Sequence, residues 1–319
     1  MKFKFTSMLA LVGVLTLAGA SHAQVIYDST TTPLPGNLPS LGVEAYAFTQ
    51  IGDEVAFAGT ARSPKSVTVT MSSWGCQSGT WYNANCVTTP GATFQVPITL
   101  NIYAAGAPTP GGLILSKTQT FTLPYRPSSD NVNCPNYDSQ HPGRWYQAST
   151  HTCFNGLASN ITFDLTSFTG TLPNSVVFGV QYNSSHYGPN PIGDTQPCNS
   201  TTAGCPYDSL NVALSRSNPS VGSKPFLGTL YWDTFYGPNY CDLGANGTGF
   251  FRLDSPGNGC WYDTSPLVDP YVPAAQFVAY TIPNNKDQCK GDGWQSLARA
   301  GGSTFKNQGD CIQYVNTGK

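Results

Sequence analysis

The sequence predicts an all-β chain: a jelly-roll-like β-sandwich with disulfide-stapled loops, followed by a small α-helical, disulfide-linked tail. Three observations carry this reading. Apolar and polar residues alternate in many short runs. Gly (33) and Pro (25) are abundant, while charged residues make up only 10% of the chain. No long helical period occurs before residue 284. Short alternating runs separated by turn residues suit a sandwich, because each strand then buries one face against a facing sheet.

The elements follow in chain order. The chain opens MKFKFTSMLALVGVLTLAGASHAQ. Lys2 and Lys4 precede an apolar stretch, and Ser21 and Ala23 supply the small residues of a cleavage site. Residues 1–23 therefore read as a secretory signal peptide, the apolar run being short for a membrane span. The sandwich is expected over 24–283 and the tail over 284–319. Strands are expected near 42–49 and 54–60, and again where Val67, Val69 and Met71 alternate with Thr68, Thr70 and Ser72. Phe94, Val96, Ile98, Leu100 and Ile102 form the clearest run. Pro97 within it cannot donate to a ladder, which points to an edge or a bulge. Further strands are expected at 113–123, at Ile161, Phe163 and Leu165, at 176–182, at 210–214, and near 228–232, 249–253 and 276–282.

The ten cysteines come in close successive pairs, as expected of an exported chain that builds disulfides. Connectivity is open from sequence. The spacing favours local bridges: Cys76–Cys86, Cys134–Cys153, Cys198–Cys205, Cys241–Cys260 and Cys289–Cys311. A zinc site would call for C-x2-C spacing and histidine partners, which these positions lack.

From Asn284 the character changes. Asn285, with Gln288 three residues on, reads as a capping box, and Gly291 and Gly293 as its end. Asn307 reads as the start of a second helical turn that sets Cys311, Ile312 and Val315 on one face. A segment this short needs a staple, with Trp294 and Phe305 as its large core candidates.

Several runs resemble an uncharacterised family of exported bacterial β-sandwich proteins. They are PYDSLNVAL (206–214), SVGSKPFLG (220–228), YCDLGANGTGFFRLD (240–254) and PYVPAAQFVAYTI (270–282). The stretch at 25–59 resembles that family's amino-terminal strands. The closing KDQC…GW…FKNQGDCIQYV is similar to a short tail found on various exported proteins. It departs from the usual form, with Leu297 in place of an aromatic and Arg-Ala-Gly-Gly inserted after Ala298. The resemblance implies no established activity and assigns no catalytic residue.

Composition narrows the function. Removing Lys2 and Lys4 from the 15 basic residues leaves 13 against 17 acidic, with no basic cluster. Nucleic acid is therefore not an expected partner, because phosphate binding relies on clustered Lys and Arg. The serine elbow, H-E-x-x-H and phosphate-loop motifs are absent. After the leader only His141, His151 and His186 remain, and the only glutamates are Glu44 and Glu54. Asp208, Asp242 and Asp254 are candidates for a Ca2+ site in oxygen-rich loops, without EF-hand spacing. Aromatics are the richer signal: Tyr187, Tyr207, Trp232, Tyr236, Trp261 and Tyr262 are the candidate ligand-binding residues. Flat ring faces suit sugars and other polymer surfaces, and they equally suit a loop's own interior. The expected function is a non-enzymatic, secreted or periplasmic sandwich that binds a polysaccharide or cell-surface polymer. The alternatives are an extracellular hydrolase of polysaccharide or polyester and a structural envelope component.

Overall fold

A computed structural model describes residues 23–42, 50–79, 81, 83–107, 110–135, 143–182, 210–215, 218–226, 229–232, 248–249 and 272–319. Two antiparallel sheets face each other. The seven-stranded sheet follows the order β1 (Gln24–Asp28), β15 (Ala275–Tyr280), β4 (Ser63–Ser73), β11 (Leu210–Ser215) and β14 (Val272–Pro273). In it β2 (Ser40–Gly42) pairs with β11, and β9 (Leu157–Asp164) with β4. The six-stranded sheet runs β13 (Thr248–Gly249), β12 (Leu230–Trp232), β3 (Gln50–Ala56), β10 (Ser175–Tyr182), β5 (Thr93–Ala104) and β6 (Leu113–Pro124). A small hairpin joins β7 (Trp145–Gln147) to β8 (Thr152–Phe154). The first and last strands of the sandwich lie side by side, β1 on β15, so the chain wraps around its own core in jelly-roll fashion.

The core fills the space between the sheets. Val67, Val69, Ile161 and Phe163 come from one sheet, and Ile98, Leu100, Val176 and Phe178 from the other, all buried. Rings interdigitate across the gap: Phe178 lies 5.5 Å from Phe277, and Phe121 lies 4.9 Å from Phe163, both edge-on. Edge-to-face pairs bring the positive rim of one ring to the negative face of the other.

The alternating runs become strands at close to the expected places. Pro97 sits in β5, which has neighbours on both sides. The last described pair between β10 and β5 is Tyr182 with Ile98. On its other side Pro97 stands opposite Thr120 of β6. The first expected strand falls mostly outside the described residues, with β2 ending at Gly42 where 42–49 was expected to begin. The second expected strand starts earlier than its apolar run, because Gln50 and Gly52 belong to β3. β7, β8 and β14 carry two or three residues each, too few to show a period.

At one end of the sandwich β6 and β9 are stacked. Lys117 and Gln119 point inward there. The Gln119 amide donates to the Thr162 carbonyl and accepts from the Asp164 N–H, each at 3.3 Å. It occupies backbone groups on the rim of β9 as another strand would.

Three of the expected bridges are formed: Cys76–Cys86, Cys134–Cys153 and Cys289–Cys311. No described cysteine is free. Cys198, Cys205, Cys241 and Cys260 lie outside the described residues. Arg126, fully buried, clasps two of the stapled loops: its N–H bonds the Gly75 carbonyl and its guanidinium donates to Gly143 and Pro127 carbonyls. Burial lowers its pKa to about 10.

The tail contains the one α-helix among the described residues, α1 (Gln308–Thr317). Asn285 and Gln288 form the capping box, and Asn307 caps α1 through the Asp310 N–H. Cys289, Leu297, Phe305 and Cys311 build a small core distinct from that of the sandwich, with Trp294, Ile312, Tyr314 and Val315 packed on it. Arg299 stacks 4.7 Å above Phe305 and bonds Asp310 at 2.6 Å. Its turn meets the sandwich where Ala298 donates to the Thr281 carbonyl. Gly302, with φ of 87°, lies against the Tyr280 ring, where a Cβ would clash.

A bridge closing this loop contributes roughly 3 kcal/mol in the chain-entropy account. Replacing Cys289 and Cys311 by Ser is therefore expected to open 284–319 to protease while the sandwich keeps its circular dichroism. Truncation after Pro283 is expected to leave a folded sandwich. Loss of all β-structure on truncation would show that the tail belongs to the core.

Candidate functional site

Strand alternation gives the six-stranded sheet one face for the core and one facing away from it. On β3, Ile51, Asp53 and Val55 point inward, so Gln50, Gly52 and Glu54 point outward. Pairing then aligns the outward residues of separate strands. Gln181 of β10 stands opposite Gln50 of β3 and Thr99 of β5. Gly179 stands opposite Gly52 and Asn101, and Trp232 of β12 stands opposite Gln50. The result is a row of amides and rings across four strands.

The row is hydrogen-bonded throughout. Asn101 donates to the Gln50 oxygen at 2.5 Å and to the Gln181 oxygen at 3.3 Å. Gln50 donates to the Tyr103 hydroxyl at 3.1 Å. Tyr103 stacks on Trp232, ring centres 5.7 Å apart and planes 23° from parallel. A Cβ on Gly179 would meet the Gln50 side chain, so the missing side chain there lets Gln50 lie down on the sheet. Gln50 and Asn101 are buried, Tyr103 and Trp232 half-buried, and Gln181 exposed. Beside the row, Glu54 accepts from the Gly106 and Ala107 N–H groups at 3.1 and 2.7 Å, fixing the loop after β5.

The row holds donors, acceptors and ring faces without a formal charge. Such a set recognises neutral hydroxylated surfaces: amides bond hydroxyls in both senses, and rings cover the apolar C–H faces between them. The outward face of β5 and β6 continues in the same chemistry, with Ser116, Thr118, Thr120 and Thr122 exposed and the Thr99 and Thr118 hydroxyls 2.7 Å apart.

One acid lies beneath this face. Asp53 points into the core and is fully buried, with its Oδ1 accepting from the Glu54 N–H at 2.7 Å and its Oδ2 unbonded. Burial, above all, holds its pKa well above the usual carboxylate range. Tyr27 is also raised, first by burial and then by the charge of Asp53. Asp53 does not reach the outward row and is not placed to act on a ligand there.

Of the aromatic candidates, Trp232 belongs to this row. Tyr187, Tyr207, Tyr236, Trp261 and Tyr262 lie outside the described residues, as do Asp208, Asp242 and Asp254. Among the described residues no three His, Cys, Asp or Glu side chains gather as metal ligands. His151 sits exposed on the β7–β8 turn with its Nδ1 2.7 Å from the Tyr146 hydroxyl. Gln50, Asn101, Tyr103 and Gln181 are absent from the sequence-derived set. A usable signal existed: two strands carrying an outward Gly beside an outward Gln, as in Gln50-Ile51-Gly52 and Gly179-Val180-Gln181.

The fold class is thus a disulfide-stapled, jelly-roll-like β-sandwich, and no described helix is long and apolar enough to cross a membrane. No protein-family model, curated protein or solved structure shows a significant match to the chain.

Proposed function

We propose that this is an exported, non-enzymatic sandwich of the kind its 206–214 motif resembles, and that it binds a neutral hydroxylated polymer such as a polysaccharide. The amide–aromatic row from Gln181 to Trp232 is the observation that carries the reading. Local disulfides support export, since such bridges persist in oxidising compartments. The uncharged row supports a neutral ligand over an acidic one.

The test is a pull-down of the purified chain on insoluble polysaccharides and cell walls. Tyr103→Ala with Trp232→Ala is expected to cut the bound fraction roughly tenfold or more, as for aromatic anchors elsewhere. Trp261→Ala with Tyr236→Ala, in the same assay, reports the loop aromatics separately. Full binding by the Tyr103/Trp232 variant, with its melting temperature unchanged, would remove the sheet face from the proposal.

A further inference from the structure

The stapled loops meet around a buried cation that no described acid balances. Arg126 follows β6 and is fully buried. A guanidinium offers five N–H groups on three nitrogens. Those of Nε and Nη2 reach the Pro127 and Gly143 carbonyls, whereas Nη1, equally enclosed, has no hydrogen-bond partner. Both acceptors are neutral, and the Gly143 carbonyl also takes the Ser129 hydroxyl at 2.8 Å, which fills its two lone pairs. The ion pairs among the described residues belong to Lys290 and Arg299, not to Arg126. Asp130, the acid of the same segment, spends its carboxylate on Asn133 and the Val132 N–H. A second guanidinium, Arg144, follows Gly143 directly and donates to the Pro135 carbonyl. An isolated charge at full burial is strongly unfavourable unless it is paired. Loss of the proton does not relieve it at neutral pH, because the pKa of Arg126, lowered by burial, is still about 10.

We infer that Nη1 of Arg126 holds a small monovalent anion, chloride or another halide, as its counter-ion between the two stapled loops. The backbone around it shows what the ion would lock. Residues 126–130 run as a spine between the loops. The Arg126 N–H bonds the Gly75 carbonyl and the Ser129 N–H bonds the Cys86 carbonyl, both on the Cys76–Cys86 side. The Asp130 N–H bonds the Arg144 carbonyl on the Cys134–Cys153 side. Full enclosure selects for a small sphere. Sulfate and phosphate are larger, carry a second charge, and call for more donors than one guanidinium nitrogen supplies. The site is separate from the amide–aromatic row and does not depend on what that row binds.

Melting of the purified chain tests this, with chloride replacing methanesulfonate at constant ionic strength. A ligand of the folded state alone raises the midpoint with its concentration. The wild type is expected to gain roughly 3 °C for each tenfold rise in chloride beyond half-saturation. Bromide is expected to substitute and sulfate is not. Arg126→Met keeps much of the apolar stem, removes the charge, and is expected to lose the chloride dependence. Should that variant not fold, wild-type crystals grown in bromide decide, with an anomalous peak expected in contact with Arg126 Nη1. A wild-type midpoint indifferent to chloride would overturn the inference. So would an undiminished chloride dependence in Arg126→Met, or bromide-grown crystals with water or a carboxylate on Nη1 instead.

Discussion

Phe277→Ala is expected to cost about 3–5 kcal/mol, the largest loss from any single truncation considered for this chain. Phe277 projects from β15 into the middle of the sandwich, at 1% exposure. Its ring meets Tyr27 at 6.1 Å, Phe57 at 5.3 Å and Phe178 at 5.5 Å. These three partners come from β1, from the residue after β3, and from β10, so the ring ties both sheets together. Removing it leaves a cavity with walls held by two hydrogen-bonded sheets, which cannot collapse to fill it. Urea unfolding should show a lower midpoint with an unchanged slope, because the exposed surface on unfolding is nearly the same. Val132→Ala, at a site 88% exposed, is the control and should shift stability by no more than about 0.5 kcal/mol. Equal effects of the two substitutions would contradict the placement of Phe277.

The parts of the fold that were legible share one property: they are governed by period two over a long enough stretch. The alternation in β5 and β6 survives a central proline and a lysine because the remaining inward positions are all large and apolar or, like Gln119, reach the facing sheet. β10 was legible despite Gly179 because Val176, Phe178 and Val180 kept the inward period. The tail was legible through its caps, Asn285 and Asn307, which act locally. The candidate site was not legible in the same way. Gln50, Asn101 and Gln181 look like ordinary outward polar positions until pairing brings three distant strands together. Tyr103 and Trp232 are 129 positions apart, and nothing local links them. Only strand order, β12-β3-β10-β5, converts these residues into one row. The inward Asp53 runs against the pattern too, since it shares the core-facing side of β3 with Ile51 and Val55.

Asp53→Asn is expected to stabilise the protein at neutral and alkaline pH and to change little near pH 4. The sign follows from the raised pKa of the buried acid. In the unfolded chain an aspartate loses its proton near pH 4. In the folded chain Asp53 keeps the proton to higher pH, so the folded state binds more protons over that interval. Stability is then full below the unfolded pKa and is lost as pH rises toward the folded one. After burial, the Glu54 N–H and the Lys224 charge lower the pKa of Asp53, while the Glu54 charge raises it. No described group bonds Oδ2. A neutral amide of the same shape removes the ionisation while keeping the acceptor for the Glu54 N–H. The gain should grow by at most about 1.4 kcal/mol for each pH unit, the limit for a single titrating group. Urea unfolding of both proteins between pH 4 and pH 9 would check it. The difference should grow with pH. A difference that is constant across the range would mean that Asp53 does not titrate differently on folding.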